Sequence, residues 1–106
     1  MALTRDFKET IQARVQRDPV FRKELLCESV ESFLSGDAEA GKSILRDYIN
    51  ATIGFAQLAE ATHHSAKSLM RMLSPTGNPQ ARNLFEIVEH LQRREHVRFK
   101  VAVAAR

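Results

Sequence analysis

The sequence predicts a mainly α-helical fold of five to six helices, including a helix-turn-helix, with one short C-terminal β-strand. Apolar residues recur every three or four positions through most of the chain, whereas only one segment alternates with period two. The chain has 106 residues, of which 43% are hydrophobic, so we expect residues 1–106 to form a single domain. Its expected parts are N-terminal helices (1–53), the helix-turn-helix with the following helix (54–94), and the strand (96–104).

Each expected helix has a start or stop signal. The first opens on Asp6 and Glu9, which have capping-box spacing. Asp18 and Asp37 are good N-caps for the second and third helices. Gly36 stands where a left-handed residue commonly ends a helix. The expected ranges are 6–17, 19–35 and 38–52, followed by two short helices at 55–62 and 65–73.

The two short helices have the spacing of a helix-turn-helix. Leu69 lies ten residues after Ala59, and in this motif the second helix enters the DNA major groove. We expect Lys67 to contact phosphate and Arg71 to contact guanine or phosphate. The same spacing also fits an αα-hairpin whose basic side chains are merely solvated. The expected DNA-binding residues are Gln57, Ser65, Ala66, Lys67, Ser68, Met70, Arg71 and Asn78.

The C-terminal third is expected to form one helix and one strand. Asn78 and Pro79 follow a loop rich in turn residues, and we expect them to cap and open the last helix. Over 96–104, apolar residues alternate with basic or small residues. A lone strand leaves its backbone unpaired, so we expect it to pair with the same strand of a second copy in a homodimer. The expected dimer-strand residues are Val97, Phe99, Val101 and Val103.

Charge is distributed unevenly along the chain. The formal net charge is +3, yet residues 1–36 are neutral, residues 37–62 carry −2 and residues 63–106 carry +5. A basic lobe on a small helical protein indicates a polyanion partner such as double-stranded DNA. The alternative is a solvated basic face without a partner.

Two other features are expected to carry no chemistry. Residues 36–43 match the phosphate-loop pattern of Gly, four residues and Gly-Lys-Ser. We reject nucleotide binding because an amphipathic helix precedes the pattern where a buried strand is needed, and because Asp37 and Glu39 would stand beside the phosphate. Cys27, the single cysteine, lies in a helical pattern and is expected to pack rather than to act as a nucleophile.

The N-terminal residues lack an apolar run of signal-peptide type, because charged residues interrupt it. No segment approaches the roughly 18 consecutive apolar residues of a membrane-spanning helix. We therefore expect a cytoplasmic protein without a membrane partner. Adjacent histidines alone make a weak metal site, so we expect no metal and no cofactor.

The helix-turn-helix region resembles a known family, the addiction-module antidote (antitoxin) proteins. These are small bacterial regulators with a phage-repressor-like, Xre-type helix-turn-helix. The resemblance covers about residues 51–103, and its most specific part is Ser-Pro-x-Gly-Asn-Pro. It implies a protein that neutralises a small toxin, often a ribonuclease, and represses the operon that encodes both. The residues that carry it are the run 54–62, Ser65, Leu69, Arg71, and the runs 73–75 and 77–79.

The chain departs from this family in the turn of the motif. His63 stands where the family usually has glycine, and His64 where it has an apolar residue. A left-handed turn at His63 costs roughly 1 kcal/mol more than at glycine. We therefore expect a wider turn and a less buried His64. The first turn of the short helix also lacks glutamine at its usual place, which weakens the expected backbone anchor.

Taken together, these residues predict a sequence-specific DNA-binding transcriptional regulator, an antitoxin-type autorepressor of a toxin–antitoxin operon. The expected partners are operator DNA, a second copy of the chain and a small toxin protein. The alternative is a protein-interaction module in which the first three helices bind a partner without DNA binding. An enzyme is not expected, because no acid/base pair clusters in the sequence.

Overall fold

The computed structural model describes residues 5–106 and contains six helices in that part of the chain. They are α1 (Arg5–Arg17), α2 (Pro19–Leu34), α3 (Ala38–Ala51), α4 (Phe55–Thr62), α5 (Ala66–Met72) and α6 (Ala81–Glu95). The mainly helical class is therefore confirmed. The capping box predicted for the first helix involves the side chain of Asp6, which lies outside the described residues. Among these helices, none is both long and apolar enough to cross a membrane.

Aspartate caps set the starts of α2 and α3. The Asp18 carboxylate accepts the N–H of Phe21 at 3.1 Å, and the Asp37 carboxylate accepts the N–H of Ala40 at 3.1 Å. Each bond satisfies a backbone donor that would otherwise lack a partner in the first helical turn. Gly36 lies between the two helices with φ +88°, the left-handed conformation that its lack of a Cβ allows.

The start of α6 differs from the prediction. Asn78 and Pro79 precede the helix, which begins at Ala81 after Gln80. Gln80 is still extended, with φ −65° and ψ 144°, and its carbonyl accepts the first helical N–H from Leu84 at 3.0 Å. The prediction that Asn78 caps this helix is therefore wrong by two residues.

One continuous core joins α2 and α3 to α4, α5 and α6. α2 packs against α3, and α4 packs against both α5 and α6. Burying a leucine or isoleucine side chain stabilises the fold by about 1.5–3 kcal/mol, so these residues dominate the packing energy. The largest fully buried apolar residues are Leu26, Leu45, Tyr48, Ile49, Leu58, Leu69, Leu73, Ile87 and Leu91.

The predicted C-terminal strand is wrong, because residues 5–106 contain no β-strand. Only Phe99 of the four predicted dimer-strand residues packs against the core, whereas Val101 is 84% exposed and Val103 fully exposed. The N–H of Phe99 donates to the Gln92 side chain at 2.8 Å, and the N–H of Val97 to the Gln92 carbonyl at 3.1 Å. The tail is thus held by the end of α6 and lies beside α2, with no neighbouring strand to pair its backbone.

Candidate nucleic-acid interface

The predicted helix-turn-helix corresponds to α4 and α5, which pack through small and apolar residues. Leu58, Ala59 and Leu69 are all buried in the common core. Ala59 has only a methyl group, so the two helices can cross closely at this point. Leu69 is fully buried although α5 has only seven residues. Because an isolated helix of this length is unstable in water, this packing holds α5 in place.

The turn between α4 and α5 is closed by His63 in the left-handed conformation, with φ 58° and ψ 33°. The N–H of His64 donates to the carbonyl of Ala59 at 3.1 Å, which satisfies the end of α4. The turn therefore forms as a tight left-handed turn, and the expectation of a wider turn is wrong. His64 is partly buried, and its Nε2 lies 3.4 Å from the Glu86 carboxylate of α6, without hydrogen-bond geometry.

Ser65 begins α5, and its hydroxyl accepts the N–H of Ser68 at 3.0 Å. Lys67, Met70 and Arg71 are exposed on α5, and Met70 shows 51% of its surface. Three of the predicted contact residues therefore share the accessible side of this helix.

The remaining predicted contacts are placed differently. Ala66 is partly buried and packs against the core, so it contributes little surface to a ligand. Ser68 is partly buried as well. Gln57, on α4, and Asn78, in the loop after α5, are both exposed. The structure therefore brings together fewer of the predicted DNA-binding residues on the exposed side of α5 than the sequence predicted. Gln57 and Asn78 are also exposed, but they lie outside this helix.

Two exposed arginines of α6 differ in their ion pairing from the exposed cations of α5, whereas Arg94 of α6 is exposed and has no ion pair among the described residues. Arg82 and Arg93 of α6 form ion pairs with glutamates four residues away, at 3.6 and 2.7 Å. Lys67 and Arg71 have no ion pair among residues 5–106. Their charge is therefore available to an external anion.

The lysine of the rejected phosphate-loop pattern is buried. Residues 38–43 belong to α3 rather than to a loop that could surround a phosphate. A Cβ at Gly41 would lie 2.8 Å from the Phe33 ring, so glycine lets α3 pack tightly on α2. Lys42 is only 4% exposed and its ammonium group binds backbone carbonyls of the loop after α5. Lys42 lies three residues before the buried Leu45 and therefore on the same face of α3. This spacing was the sequence signal that the Lys42 side chain faces the protein interior.

A polar cluster of Arg22, Tyr48 and Glu95 was not predicted from the sequence. The Arg22 guanidinium donates to both carboxylate oxygens of Glu95, at 3.0 and 2.8 Å, and the Tyr48 hydroxyl donates to the same carboxylate. Burial, followed by the hydrogen bond to Glu95 and its charge, raises the pKa of Tyr48 well above its usual range. The cluster connects α2, α3 and α6.

Cys27 is partly buried on α2, and its thiol donates to the Glu31 carboxylate at 3.4 Å. Burial and this carboxylate raise the pKa of the Cys27 thiol. A raised pKa leaves less thiolate at neutral pH, which disfavours nucleophilic chemistry. Among the described residues, no group of three or more His, Cys, Asp or Glu side chains is arranged to hold a metal ion.

Comparison with known proteins found no matching family model, no matching curated protein and no matching solved structure. The resemblance to the addiction-module antidote proteins therefore stays a prediction, carried by residues 51–103 of this sequence. The candidate interface is accordingly defined by geometry alone. It consists of a short capped helix that presents Lys67, Met70 and Arg71, fixed on the core by Leu69.

Proposed function

We propose that this chain is a sequence-specific DNA-binding transcriptional regulator. The observation that supports this most strongly is the exposure of Lys67 and Arg71, without ion pairs among residues 5–106, on the short helix α5, which Leu69 packs against the core and which the sequence predicts as the second helix of a helix-turn-helix. In that motif the second helix lies in the major groove. A helix bearing cations and one exposed apolar side chain has the chemistry needed to read base edges there.

Each exposed residue of α5 has a specific role in this proposal. The Arg71 guanidinium donates two hydrogen bonds to guanine O6 and N7, the commonest specific contact to a base. Met70 makes an apolar contact, for which the thymine methyl group is the natural partner. Lys67 binds phosphate, which positions the helix without reading sequence.

The regulator is proposed to act as a homodimer and as the antitoxin of a toxin–antitoxin operon. A two-fold dimer would place two recognition helices about 34 Å apart on a palindromic operator. The antitoxin role rests on the resemblance of the loop 73–79 and adds a small toxin as a protein partner. A mass measurement in solution tests the dimer, and a monomeric mass at the concentrations that bind DNA would contradict it.

A protein-interaction module is the second candidate function. A groove of about 640 Å³ runs between the end of α4 and α6, and Phe85 on its wall is 66% exposed. A large exposed aromatic side chain is typical of protein-binding surfaces. This candidate is favoured if a small protein copurifies with the chain while no DNA is bound.

Titration with DNA across a salt series separates the two candidates. The test uses the purified chain, a labelled fragment of its own promoter region and an unrelated fragment of the same length. A DNA-binding regulator is expected to prefer the promoter fragment, and its affinity should fall steeply between low and moderate salt because counterions are released. Binding without sequence preference and without salt dependence would contradict the proposal.

A further inference from the structure

The loop between α5 and α6 is held by a buried lysine of α3. Residues 73–80 form no helix or strand, so few of their backbone carbonyls can be satisfied by regular hydrogen bonding within the loop. The Lys42 ammonium group donates to the carbonyl oxygens of Ser74, Pro75 and Gly77, at 3.0, 3.2 and 2.7 Å. An ammonium group has three N–H donors, so these carbonyls match its full hydrogen-bonding capacity. The Glu39 carboxylate, 3.4 Å away, faces it from the same helix.

Arg46 adds a second attachment one turn later on α3. Its guanidinium donates to the carbonyl of Leu73, the residue that caps the C-terminal end of α5. The end of α5 and the loop after it are therefore both attached to α3. We call Lys42, Arg46 and the four carbonyls that they bind the α3 latch.

The same loop also packs tightly against the last turn of α5. The N–H of Gly77 donates to the Ser74 carbonyl at 2.9 Å. A Cβ at Gly77 would lie 2.0 Å from the carbonyl oxygen of Arg71 and 2.6 Å from that of Met72, so only glycine fits. The loop is thus confined between α3 and the helix that carries Arg71, and a movement of the loop would move that helix.

We propose that the α3 latch positions α5 and the following loop for DNA binding, with Lys42 and Arg46 as positioning residues that do not touch DNA. The inference rests on the proposed DNA-binding function. Lys42 is 4% exposed and its donors are used inside the protein, so it is not available to phosphate. Because α5 has only seven residues, its orientation depends on what holds its two ends. A contact to a base edge requires the contacting side chain to be held to within about 0.5 Å of its productive position.

Replacement of Lys42 by methionine tests the inference. Methionine is unbranched and fills a similar space, but it has no donor for the three carbonyls. Lys42→Met is expected to weaken binding to the promoter fragment by about tenfold, the order of one lost base contact. The slope of log affinity against log salt is expected to stay at the wild-type value, because the lost group binds no phosphate. Amide exchange in residues 73–79 is expected to become faster.

Two substitutions elsewhere serve as matched controls. Lys23→Met removes the same charge from a partly exposed position on α2 and is expected to leave affinity unchanged. Lys67→Met removes the proposed phosphate contact and is expected to lower the salt slope by about 0.9. The slope therefore distinguishes a residue that contacts DNA from one that positions the residues that do.

Arg46 keeps the inference testable if Lys42→Met does not fold. Arg46 is only partly buried and makes one latch contact, so Arg46→Met is expected to fold and to bind promoter DNA more weakly. Arg46→Lys retains a donor that can reach the Leu73 carbonyl, and it is expected to restore affinity. If Lys42 and Arg46 only stabilised the fold, Lys42→Met and Arg46→Met would each lower the unfolding midpoint without changing the DNA affinity of the folded protein.

The outcomes separate the inference from the proposed function. The latch is supported if Lys42→Met and Arg46→Met both lose affinity for promoter DNA, Lys42→Met keeps the wild-type salt slope, and Arg46→Lys keeps the wild-type affinity. Wild-type affinity in folded Lys42→Met, or in folded Arg46→Met, overturns the latch and leaves DNA binding standing. Absence of binding by the wild-type chain overturns the proposed function, and the positioning role falls with it.

Discussion

At the scale of single residues, His63 adopts a left-handed conformation that residues other than glycine rarely take. His63→Gly removes the steric cost of this conformation and is expected to stabilise the fold by about 0.5–1 kcal/mol. Denaturant unfolding measures the change. Ala61→Gly is the matched control, because it places glycine at an exposed helical position of α4, where glycine is destabilising by about 0.5–1 kcal/mol. Equal destabilisation by both substitutions would show that His63 carries no strain.

Arg71 is the residue on which the proposed base recognition most depends. Arg71→Ala is expected to weaken binding to the promoter fragment by about 1–3 kcal/mol and to reduce its preference over unrelated DNA. Arg82→Ala removes the same charge from α6, where the side chain is paired with Glu86, and should have a much smaller effect. A fluorescence titration of both variants measures this difference. If the two lose affinity equally, Arg71 contributes only general charge.

At the scale of elements, α5 is a seven-residue helix that stays folded because Leu69 is buried. Leu69→Ala is expected to lower the free energy of unfolding by about 2–5 kcal/mol, since it leaves a cavity beneath the helix. Met70→Ala changes the adjacent exposed residue and is expected to alter stability by less than about 0.5 kcal/mol. Thermal unfolding of the two variants gives the comparison, and similar midpoints would show that α5 is not held by this side chain.

The helices were predictable from the sequence because their caps are local. Asp18 and Asp37 bond to amides three residues away, so short windows contain the whole signal. The strand prediction was wrong for the opposite reason. The alternation of apolar and polar residues along 97–103 indicates only which side chains face the same way, whereas a strand also needs a neighbouring backbone to pair with. In the structure the N–H of Phe99 donates to the Gln92 side chain instead.

Among the site residues, exposure of Lys67 and Arg71 followed from helical period, but the α3 latch did not. Its contacts join residues 27 to 35 positions apart in the sequence. Nothing in a local window indicates which carbonyls Lys42 will reach. Only the assembled packing of α3 on the loop brings them together.

At the scale of the whole molecule, the net charge of +3 conceals an organised distribution. Lys42 and Arg46 direct their charge inward to the loop, and two arginines of α6 are paired with glutamates on the same helix. Exposed ion pairs contribute little stability, typically below about 1 kcal/mol. Lys67 and Arg71 of α5 are exposed without ion pairs among residues 5–106. The same holds for three cations nearer the C-terminal end, Arg94, Arg98 and Lys100.

The buried cluster of Arg22, Tyr48 and Glu95 connects three helices and makes stability depend on pH. Because the pKa of Tyr48 is raised in the folded state, the unfolded chain loses this proton first, near pH 10. The native state then binds more protons than the unfolded state, so the free energy of unfolding falls as pH rises further. Below pH 10 both states are protonated at this tyrosine, and its full contribution to stability is present.

The resulting prediction is specific because the chain has one tyrosine and no tryptophan. Phenolate absorbance in the native protein is expected to appear only well above pH 10, or together with unfolding. The free energy of unfolding should fall above pH 10 by up to about 1.4 kcal/mol per pH unit from this group. Tyr48→Phe keeps the ring but has no proton to lose, so it should show a shallower decline over the same range, measured by denaturant unfolding at each pH. Titration of the native phenolate near pH 10, or equal slopes for wild type and Tyr48→Phe, would contradict a buried hydroxyl bound to Glu95.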